Sequence, residues 1–255
     1  MESEHQIELL TVAQMNDADR VAISGGISGH RLMEAAGAAV VSEIRRRWAS
    51  RPVLIICGPG NNGGDGFVIA RLLKENGWPV SITLLGERDA LEGDALLNSR
   101  RWDGDVLPLS VEVLEGAALY IDALFGTGLA RPPTGIALAV ISELAKTNVP
   151  CVAVDVPSGV DGDTGMVLGN AVRADLTVTF FRRKPGHLLM PGRSRSGEVI
   201  VADIGIPGDS LDKTEPLTYA NVPALWLRDF PWPQAEDHKF TRGHAVIAGG
   251  TSMTG

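Results

Sequence analysis

Residues 57–73, CGPGNNGGDGFVIARLL, combine glycines with amide and carboxylate side chains in a segment that could bind both a phosphate and a cation. The glycines at 58, 60 and 63 have the G-x-G-x-x-G spacing of a dinucleotide-binding turn, in which backbone N–H groups at a helix N-terminus hold phosphate. Asn62 and Asp65 are additions that such a turn does not need. The spacing alone is weak evidence, because a structural glycine turn with Asp65 at a helix N-terminus is the alternative.

Two further carboxylates, Asp122 and Asp155, stand at the ends of the apolar runs LYID and CVAVD. Burial of an unpaired carboxylate is costly, so each requires a cation, a ligand or several hydrogen-bond donors. Together with these strand ends, Asn62 and Ser158 would supply only hard oxygen donors. Such a donor set favours an alkali or alkaline-earth ion over zinc or copper.

Other polar loops follow apolar runs and leave alternatives open. The second glycine turn, GTGLARP, contains Arg131, whose guanidinium could bind an anion through two N–H groups. Lys184 and His187 follow the run LTVTFF and belong either to a site or to a solvated loop. Asp161 and Asp163 flank a glycine, and this pattern favours a simple turn.

Alternating apolar and helical patterns predict the elements that would position these side chains. Helical spacing covers 8–24 and 28–48; strands are predicted at 53–57, 80–85, 119–124, 151–156, 176–181 and 198–206, and helices at 64–76, 90–102 and 135–147. This rhythm predicts an α/β fold: a three-layer α/β/α Rossmann-like sandwich with a mostly parallel sheet and N-terminal helices. Because ligands bind beyond the carboxyl ends of such strands, the polar loops after the runs at 53, 119 and 151 should converge on one crevice.

Composition and charge argue against several classes of function. The formal net charge is −8, which disfavours general binding to a nucleic-acid backbone. No run approaches the length of a membrane span, and the acidic N-terminus lacks the apolar segment of a secretory signal, so a cytoplasmic protein without a membrane partner is expected. Cys57 and Cys151 lie in apolar runs and are expected to be reduced core residues.

Five segments carry a resemblance to a known family: LMEAAG at 32–37, then NNGGDG, GTGLARPPTG, VDVPSGVDGDTG and TFFRRKPGH in that order. With them, residues 8–228 resemble the YjeF N-terminal domain family, the NAD(P)H-hydrate epimerases. Members interconvert the R and S forms of NADH or NADPH hydrated at C6 of the nicotinamide ring, so that an S-specific dehydratase can use both. One departure is Ala35, where the family motif often has Asn.

The resemblance implies roles for individual residues. It implies one potassium ion per subunit, bound by Asn62, Asp122 and Ser158. Asp155 is the candidate catalytic carboxyl, expected to protonate the departing C6 hydroxyl and then to face the resulting cation, and Lys184 would orient it. Substrate contacts are implied at Asp155 and in two loops: Asn61, Asn62, Gly63, Gly64 and Asp65, then Gly126, Thr127, Gly128, Leu129, Ala130, Arg131 and Pro132.

The resemblance also divides the chain, with 1–228 as the epimerase domain and the Pro- and Trp-rich segment 229–237 as a linker. Residues 238–255 are similar to the first strand of an ADP- or ATP-dependent NAD(P)H-hydrate dehydratase. We therefore expect the truncated start of a ribokinase-like dehydratase domain, too short for dehydration, as in a bifunctional repair enzyme. Family members often form homodimers. Two alternatives remain: a Rossmann oxidoreductase, which Glu87 mildly favours, and a non-catalytic binding module.

Overall fold

The computed structural model describes residues 7–238, 240–241, 243–244 and 246. One compact unit, Gln6–Ala220, contains the elements that position the site. Its strands are β1 (Glu8–Leu9), β2 (Val53–Cys57), β3 (Val80–Leu84), β4 (Val106–Pro108), β5 (Leu119–Ala123), β6 (Cys151–Val154), β7 (Leu176–Phe180), β8 (Glu198–Ala202) and β9 (Thr218–Tyr219). Its α-helices are α1 (Val12–Ser24), α2 (Gly29–Arg47), α3 (Asn61–Glu75), α4 (Gly93–Arg101), α5 (Gly135–Leu144), α6 (Gly192–Ser196) and α7 (Ser210–Thr214).

A seven-stranded sheet in the order β4-β3-β2-β5-β6-β7-β8 forms the centre of this unit, and every neighbouring pair is parallel. β1 and β9 make a separate antiparallel pair. The sheet separates two apolar clusters, because alternate side chains of each strand point to opposite faces. Ile55 and Ile121 pack with α1, α2 and α3, whereas Leu54 and Tyr120 pack with α5. The predicted α/β class with a parallel sheet and N-terminal helices is confirmed.

The order of the strands places the polar loops together. β2, β5 and β6 are neighbours, and their carboxyl ends lie side by side through the register Ile56–Asp122 and Asp122–Ala153. The residues that follow these three strands therefore begin at one edge of the sheet. This arrangement confirms the predicted convergence.

Several element boundaries differ from the prediction. α3 begins at Asn61 rather than at Gly64, with Gly60 as its extended N-cap, so the NNGGDG segment forms the first turns of the helix. Glycine has a low helix propensity, which is why the pattern placed the start too late. The predicted helix at 90–102 is a 3₁₀ turn followed by α4, and α5 ends at Leu144 rather than at 147. The edge strand β4 was not predicted, because it has only three residues and two of them are exposed.

The second compact unit includes the described residues from Asn221 onward. It contains two 3₁₀ turns and a series of ring contacts, in which Phe230 lies 5.7 Å from Trp226 and 4.9 Å from Trp232 between centroids. Most of the predicted strand HAVIAGG, at 244–250, lies outside the described residues. Among the residues that are described, no helix has both the length and the apolar character needed to cross a membrane.

Candidate active site

A cavity of about 710 Å³ opens at the carboxyl ends of β2, β5 and β6. Segment 59–62 and Asp65 line it from the β2 side, segment 124–131 from the β5 side, and Asp155 follows β6. Helix α1 and the first half of α2 contribute further lining. A volume of roughly 300–1,000 Å³ is usual for a site that binds a small molecule or a cofactor. The cavity is therefore large enough to enclose a nicotinamide with part of its nucleotide.

The start of α3 brings backbone and amide groups to the cavity. Gly63 approaches the backbone so closely that a Cβ there would lie 1.9 Å from the carbonyl oxygen of Gly58, and a Cβ on Gly64 would meet Met33 at 2.7 Å. These two glycines therefore permit packing and do not line the cavity. Asn62 does line it, and its Nδ2 is buried without a hydrogen-bond partner among the described residues.

Asp155 is held in an unusual backbone conformation by contacts on every side. Its φ of 67° lies in the left-handed region, which costs a non-glycine residue on the order of 1 kcal/mol or more. Its carboxylate accepts hydrogen bonds from Lys184 Nζ, Thr179 Oγ1 (3.0 Å) and the backbone N–H of Thr127 (3.4 Å). Burial raises the pKa of Asp155, but Lys184 outweighs it, and the pKa lies below its usual value. Asp155 is thus an ionised carboxylate at the cavity wall, suited to face a cation or accept a proton.

Lys184 and His187 are core groups of the site, so the alternative of a solvated loop is wrong. Each side chain is about 1% exposed. The backbone N–H of Lys184 donates to His187 Nδ1 (3.0 Å), so Nε2 carries the proton and donates to the carbonyl oxygen of Asp155 (2.9 Å). Burial, and then the charge of Lys184, lower the pKa of His187 to about 4. A neutral imidazole therefore holds the backbone carbonyl of Asp155, while Lys184 and Thr179 hold its carboxylate.

Asp122 and Ser158 form an oxygen-rich cluster beneath the loop after β5. Ser158 Oγ donates to Asp122 Oδ1 (2.5 Å), and the backbone N–H of Ser158 donates to Oδ2 (2.8 Å). Ser158 Oγ also accepts from the N–H of Phe125 (2.8 Å) and lies 3.1 Å from its carbonyl oxygen. Burial raises the pKa of Asp122 to about 6, and these hydrogen bonds oppose the rise. Among the described residues, no cationic side chain lowers the pKa of Asp122.

This cluster offers the kind of oxygen donors that a hard cation requires. Asn62 follows β2 and lies close to the loop after β5. A Cβ placed on Gly126 in that loop would be 3.1 Å from Asn62 Oδ1, so the two segments are nearly in contact. The available donors are carboxylate, hydroxyl, amide and carbonyl oxygens, which suit a hard cation. A buried carboxylate that lacks a cationic partner is also the group that such an ion would compensate.

Two more carboxyls, Asp19 and Asp65, line the same cavity. Burial raises the pKa of Asp65 well above its usual value, and the charges of Asp155 and Asp19 raise it further. Burial likewise raises the pKa of Asp19 to about 6, although the positive charge of Lys184 lowers it. The sequence interpretation missed Asp19. The available signal was its position between the apolar residues of α1, where a solvent-facing Asp is not expected.

The other predicted residues fall into distinct groups. Asn61 and the segment 126–131, with Arg131 exposed at its end, line the cavity, whereas Pro132 does not. Asp161 accepts hydrogen bonds from the backbone N–H groups of Asp163 and Thr164, as a simple turn requires. Cys57 and Cys151 are buried free thiols, as expected. The structure thus brings Asn62, Asp122, Ser158, Asp155 and Lys184 into one region and assigns Gly63 and Gly64 to packing.

The chain matches the family described as YjeF-related protein N-terminus over residues 29–186. The NAD(P)H-hydrate epimerase of Rhodobacter capsulatus is 44% identical over 213 residues, which cover 78% of this chain and 99% of that protein. The bifunctional NAD(P)H-hydrate repair enzyme Nnr of Moorella thermoacetica is 39% identical over 97% of this chain and 50% of the relative, so the chain spans about half the length of this bifunctional protein.

A solved structure shows the same fold. The crystal structure of the yeast protein ynu0, YNL200c, superposes with a TM-score of 0.70 at 25% identity and covers 85% of this chain and 98% of the yeast chain. The family match includes α2, the NNGGDG turn and the strand-end residues from Asp122 to Lys184. The chain therefore belongs to the YjeF-related protein N-terminus family.

Proposed function

We propose that this protein is an NAD(P)H-hydrate epimerase, an isomerase that interconverts the R and S hydrates of NADH or NADPH for nucleotide repair. Its similarity to the Rhodobacter capsulatus epimerase extends over nearly the whole of that enzyme. The observation that carries the proposal is the convergence of three strand-end loops on one cavity, with the ionised carboxylate of Asp155 at its wall. A non-catalytic binding module would not need this carboxylate to be held in a strained backbone conformation by a buried lysine.

The nucleotide part of the substrate binds at the start of α3 and along the loop 126–131. The free backbone N–H groups of a helix N-terminus favour phosphate, and Arg131 adds an exposed guanidinium beside them. Asp65, whose pKa burial raises well above its usual value, adds a carboxyl to the wall of the cavity that faces the ligand. This local binding does not extend to nucleic acid, because the whole chain carries a net charge of −8.

One potassium ion per subunit binds at Asn62, Asp122 and Ser158 in this proposal. When bound, the ion would supply positive charge between these loops and would polarise oxygen only weakly. The chain's own contribution is to hold the loops after β2, β5 and β6 together through the hydrogen bonds between Ser158, Asp122 and Phe125.

The chemistry at C6 requires a cationic intermediate. The lone pair of the ring nitrogen expels the C6 hydroxyl group, which leaves as hydroxide with the bonding pair, and an iminium cation remains; water then adds to the opposite face. The carboxylate of Asp155 faces this cation and accepts a proton from the attacking water. Lys184 orients Asp155, and Thr179 fixes the same oxygen from β7.

The proposal is tested by following pure R hydrate with NMR as it converts to the S form, with wild type and with Asp155→Asn. Asparagine tolerates the left-handed conformation that this position requires. We expect the variant to bind the hydrate nearly as tightly in calorimetry while its epimerisation rate falls by a factor of about 10²–10⁴.

Asp175→Asn is the matched control. It removes the same charge as Asp155→Asn, but Asp175 precedes β7 and therefore lies at the end of the sheet opposite the cavity. This control should turn over like wild type. Near-normal turnover by Asp155→Asn would refute the role of Asp155. Hydride transfer by the wild-type chain, without epimerisation, would instead support the oxidoreductase alternative.

The cellular context is proposed from the relatives. A relative named bifunctional NAD(P)H-hydrate repair enzyme is about twice as long as this chain, so we propose fusion to a dehydratase domain in the complete enzyme. Repair of a soluble dinucleotide fits a cytoplasmic location, and a homodimer is the assembly that we propose from the family resemblance.

A further inference from the structure

Interconversion of the two hydrates requires proton exchange on both faces of the nicotinamide ring. The C6 oxygen leaves from one face and water adds to the other, so each face presents an oxygen that must gain or lose a proton. Asp155 is fixed by Lys184, Thr179 and the N–H of Thr127 and can serve only the face that it touches. A second group must act on the opposite face.

Asp19 reaches the cavity from a different element. Met15, Asp19 and Ile23 are spaced by four residues and, with Asn16, form the face of α1 that lines the cavity. Asp155, in contrast, comes from the sheet edge beyond β6. A ring bound in this cavity therefore has one carboxyl presented by a helix and another presented by the sheet.

The Asp19 carboxyl is free to act on a ligand. It has no hydrogen-bond or ion-pair partner among the described residues, although Lys184 and Asp155 lie within electrostatic range of it. Burial raises its pKa to about 6, so both its protonated and its ionised forms are accessible near neutral pH. Asp65 meets this requirement less well, because burial and the charges of Asp155 and Asp19 raise its pKa well above the usual value.

We propose that Asp19 is a second catalytic residue, which exchanges a proton with the C6 oxygen on the ring face opposite Asp155. This role rests on the proposed epimerase function. Protonated Asp19 gives its proton to the C6 hydroxyl as the C–O bond breaks, the bonding pair leaves with the oxygen as water, and the nitrogen lone pair forms the C6–N double bond. A water on the other face then donates its pair to C6, the nitrogen recovers its own pair, and Asp155 takes the proton. The reverse direction uses the same two groups in exchanged roles.

Oxygen exchange separates this role from a structural one. Each epimer is incubated in H₂¹⁸O with wild type, Asp19→Asn or Asp19→Glu, the epimers are separated by chromatography, and ¹⁸O content is measured by mass spectrometry. In wild type, inversion and oxygen exchange proceed together. In Asp19→Asn we expect inversion to fall at least about 100-fold. The epimer whose hydroxyl faces Asp155 should still exchange its oxygen at no less than about a tenth of the wild-type rate, because that face retains its carboxyl.

Asp17→Asn is the matched control on the same helix, since Asp17 pairs with Arg20 outside the cavity and should leave both rates unchanged. Asp19→Glu retains a carboxyl and should recover part of the inversion. Thermal unfolding checks that each variant is folded.

The proposal is overturned if Asp19→Asn lowers inversion and oxygen exchange by the same factor, as a structural defect or a ring that turns over in the cavity would do. Wild-type rates in Asp19→Asn would also overturn it. If the wild-type chain fails to interconvert the epimers, the proposed function itself fails, and the role of Asp19 fails with it.

Discussion

Two buried carboxylates at neighbouring strand ends differ in the residues that compensate their charge. Asp155 is ion-paired with Lys184, and its pKa lies below the usual value, whereas Asp122 is surrounded by N–H and hydroxyl donors and its pKa is raised to about 6. The ion pair with Lys184 keeps the Asp155 carboxylate ionised, so that it can face a cationic intermediate. The absence of a cationic side chain beside Asp122, among the described residues, is what makes its cluster a candidate ion site.

A residue-scale prediction concerns Asp122→Asn and potassium. At a K⁺ concentration ten times Kd, the free energy of unfolding of wild type should rise by about 1.4 kcal/mol over that in tetramethylammonium at equal ionic strength. Asp122→Asn should lose this increment, because it removes the buried charge that the ion would compensate, whereas the control Asp175→Asn should retain it. Thermal or urea unfolding measures the difference. A full potassium response in Asp122→Asn would remove Asp122 from the ion site.

The site residues at the strand ends could be predicted from the sequence, whereas the carboxyl that α1 adds to the cavity could not. Asp122 and Asp155 follow apolar runs, so the parallel-sheet rule alone brought them to one edge. Asp19 lies in an amphipathic helix that is separated from them by more than a hundred residues, and its place among the apolar residues of α1 indicates burial without indicating which site it faces. The buried state of Lys184 was likewise not predictable, because it depends on packing of β1 and the loop after β7.

At the scale of secondary-structure elements, the position of α3 decides where the cavity lies. Helix α3 packs against the sheet at Gly66, where a Cβ would lie 2.6 Å from Cys57 Sγ and 2.9 Å from Ala123 Cβ. This close approach brings the first turn of α3 next to the loop after β5. Strands were largely predicted because buried parallel strands are continuous apolar runs. The start of α3 was not, because glycines serve close packing here and lower the apparent helical signal.

An element-scale prediction follows for Gly66→Ala. Overpacking against the sheet should cost about 1–3 kcal/mol, and improved helix propensity should return at most about 1 kcal/mol, so the free energy of unfolding should fall. Gly208→Ala is the control, since no atom lies within 4 Å of a Cβ built there. Urea denaturation measures both variants. Equal stability of Gly66→Ala and wild type would show that α3 does not depend on this contact for its position.

For the whole molecule, the cavity lies within the unit Gln6–Ala220, because every residue that lines it falls between Met15 and Ile204. The family resemblance set the domain boundary at residue 228, and that boundary, the linker 229–237 and the dehydratase-like segment 238–255 remain predictions. Motif order indicated the family, since the four motifs from NNGGDG to TFFRRKPGH follow LMEAAG in the order that the family has them. Assembly and ion binding depend on surfaces and ligands that no such motif reports.

The central claim, that this cavity is where the epimers of NAD(P)H hydrate are interconverted, is tested most directly by a crystal structure with NADPH and Tl⁺ in place of K⁺. NADPH lacks the C6 hydroxyl and stays unreacted, and Tl⁺ is located by its anomalous scattering. We expect the nicotinamide ring inside the cavity with C6 against the Asp155 carboxylate, and the Tl⁺ peak at Asn62, Asp122 and Ser158. A nicotinamide ring bound outside the cavity, or with C6 turned away from Asp155 and toward solvent, would contradict the account.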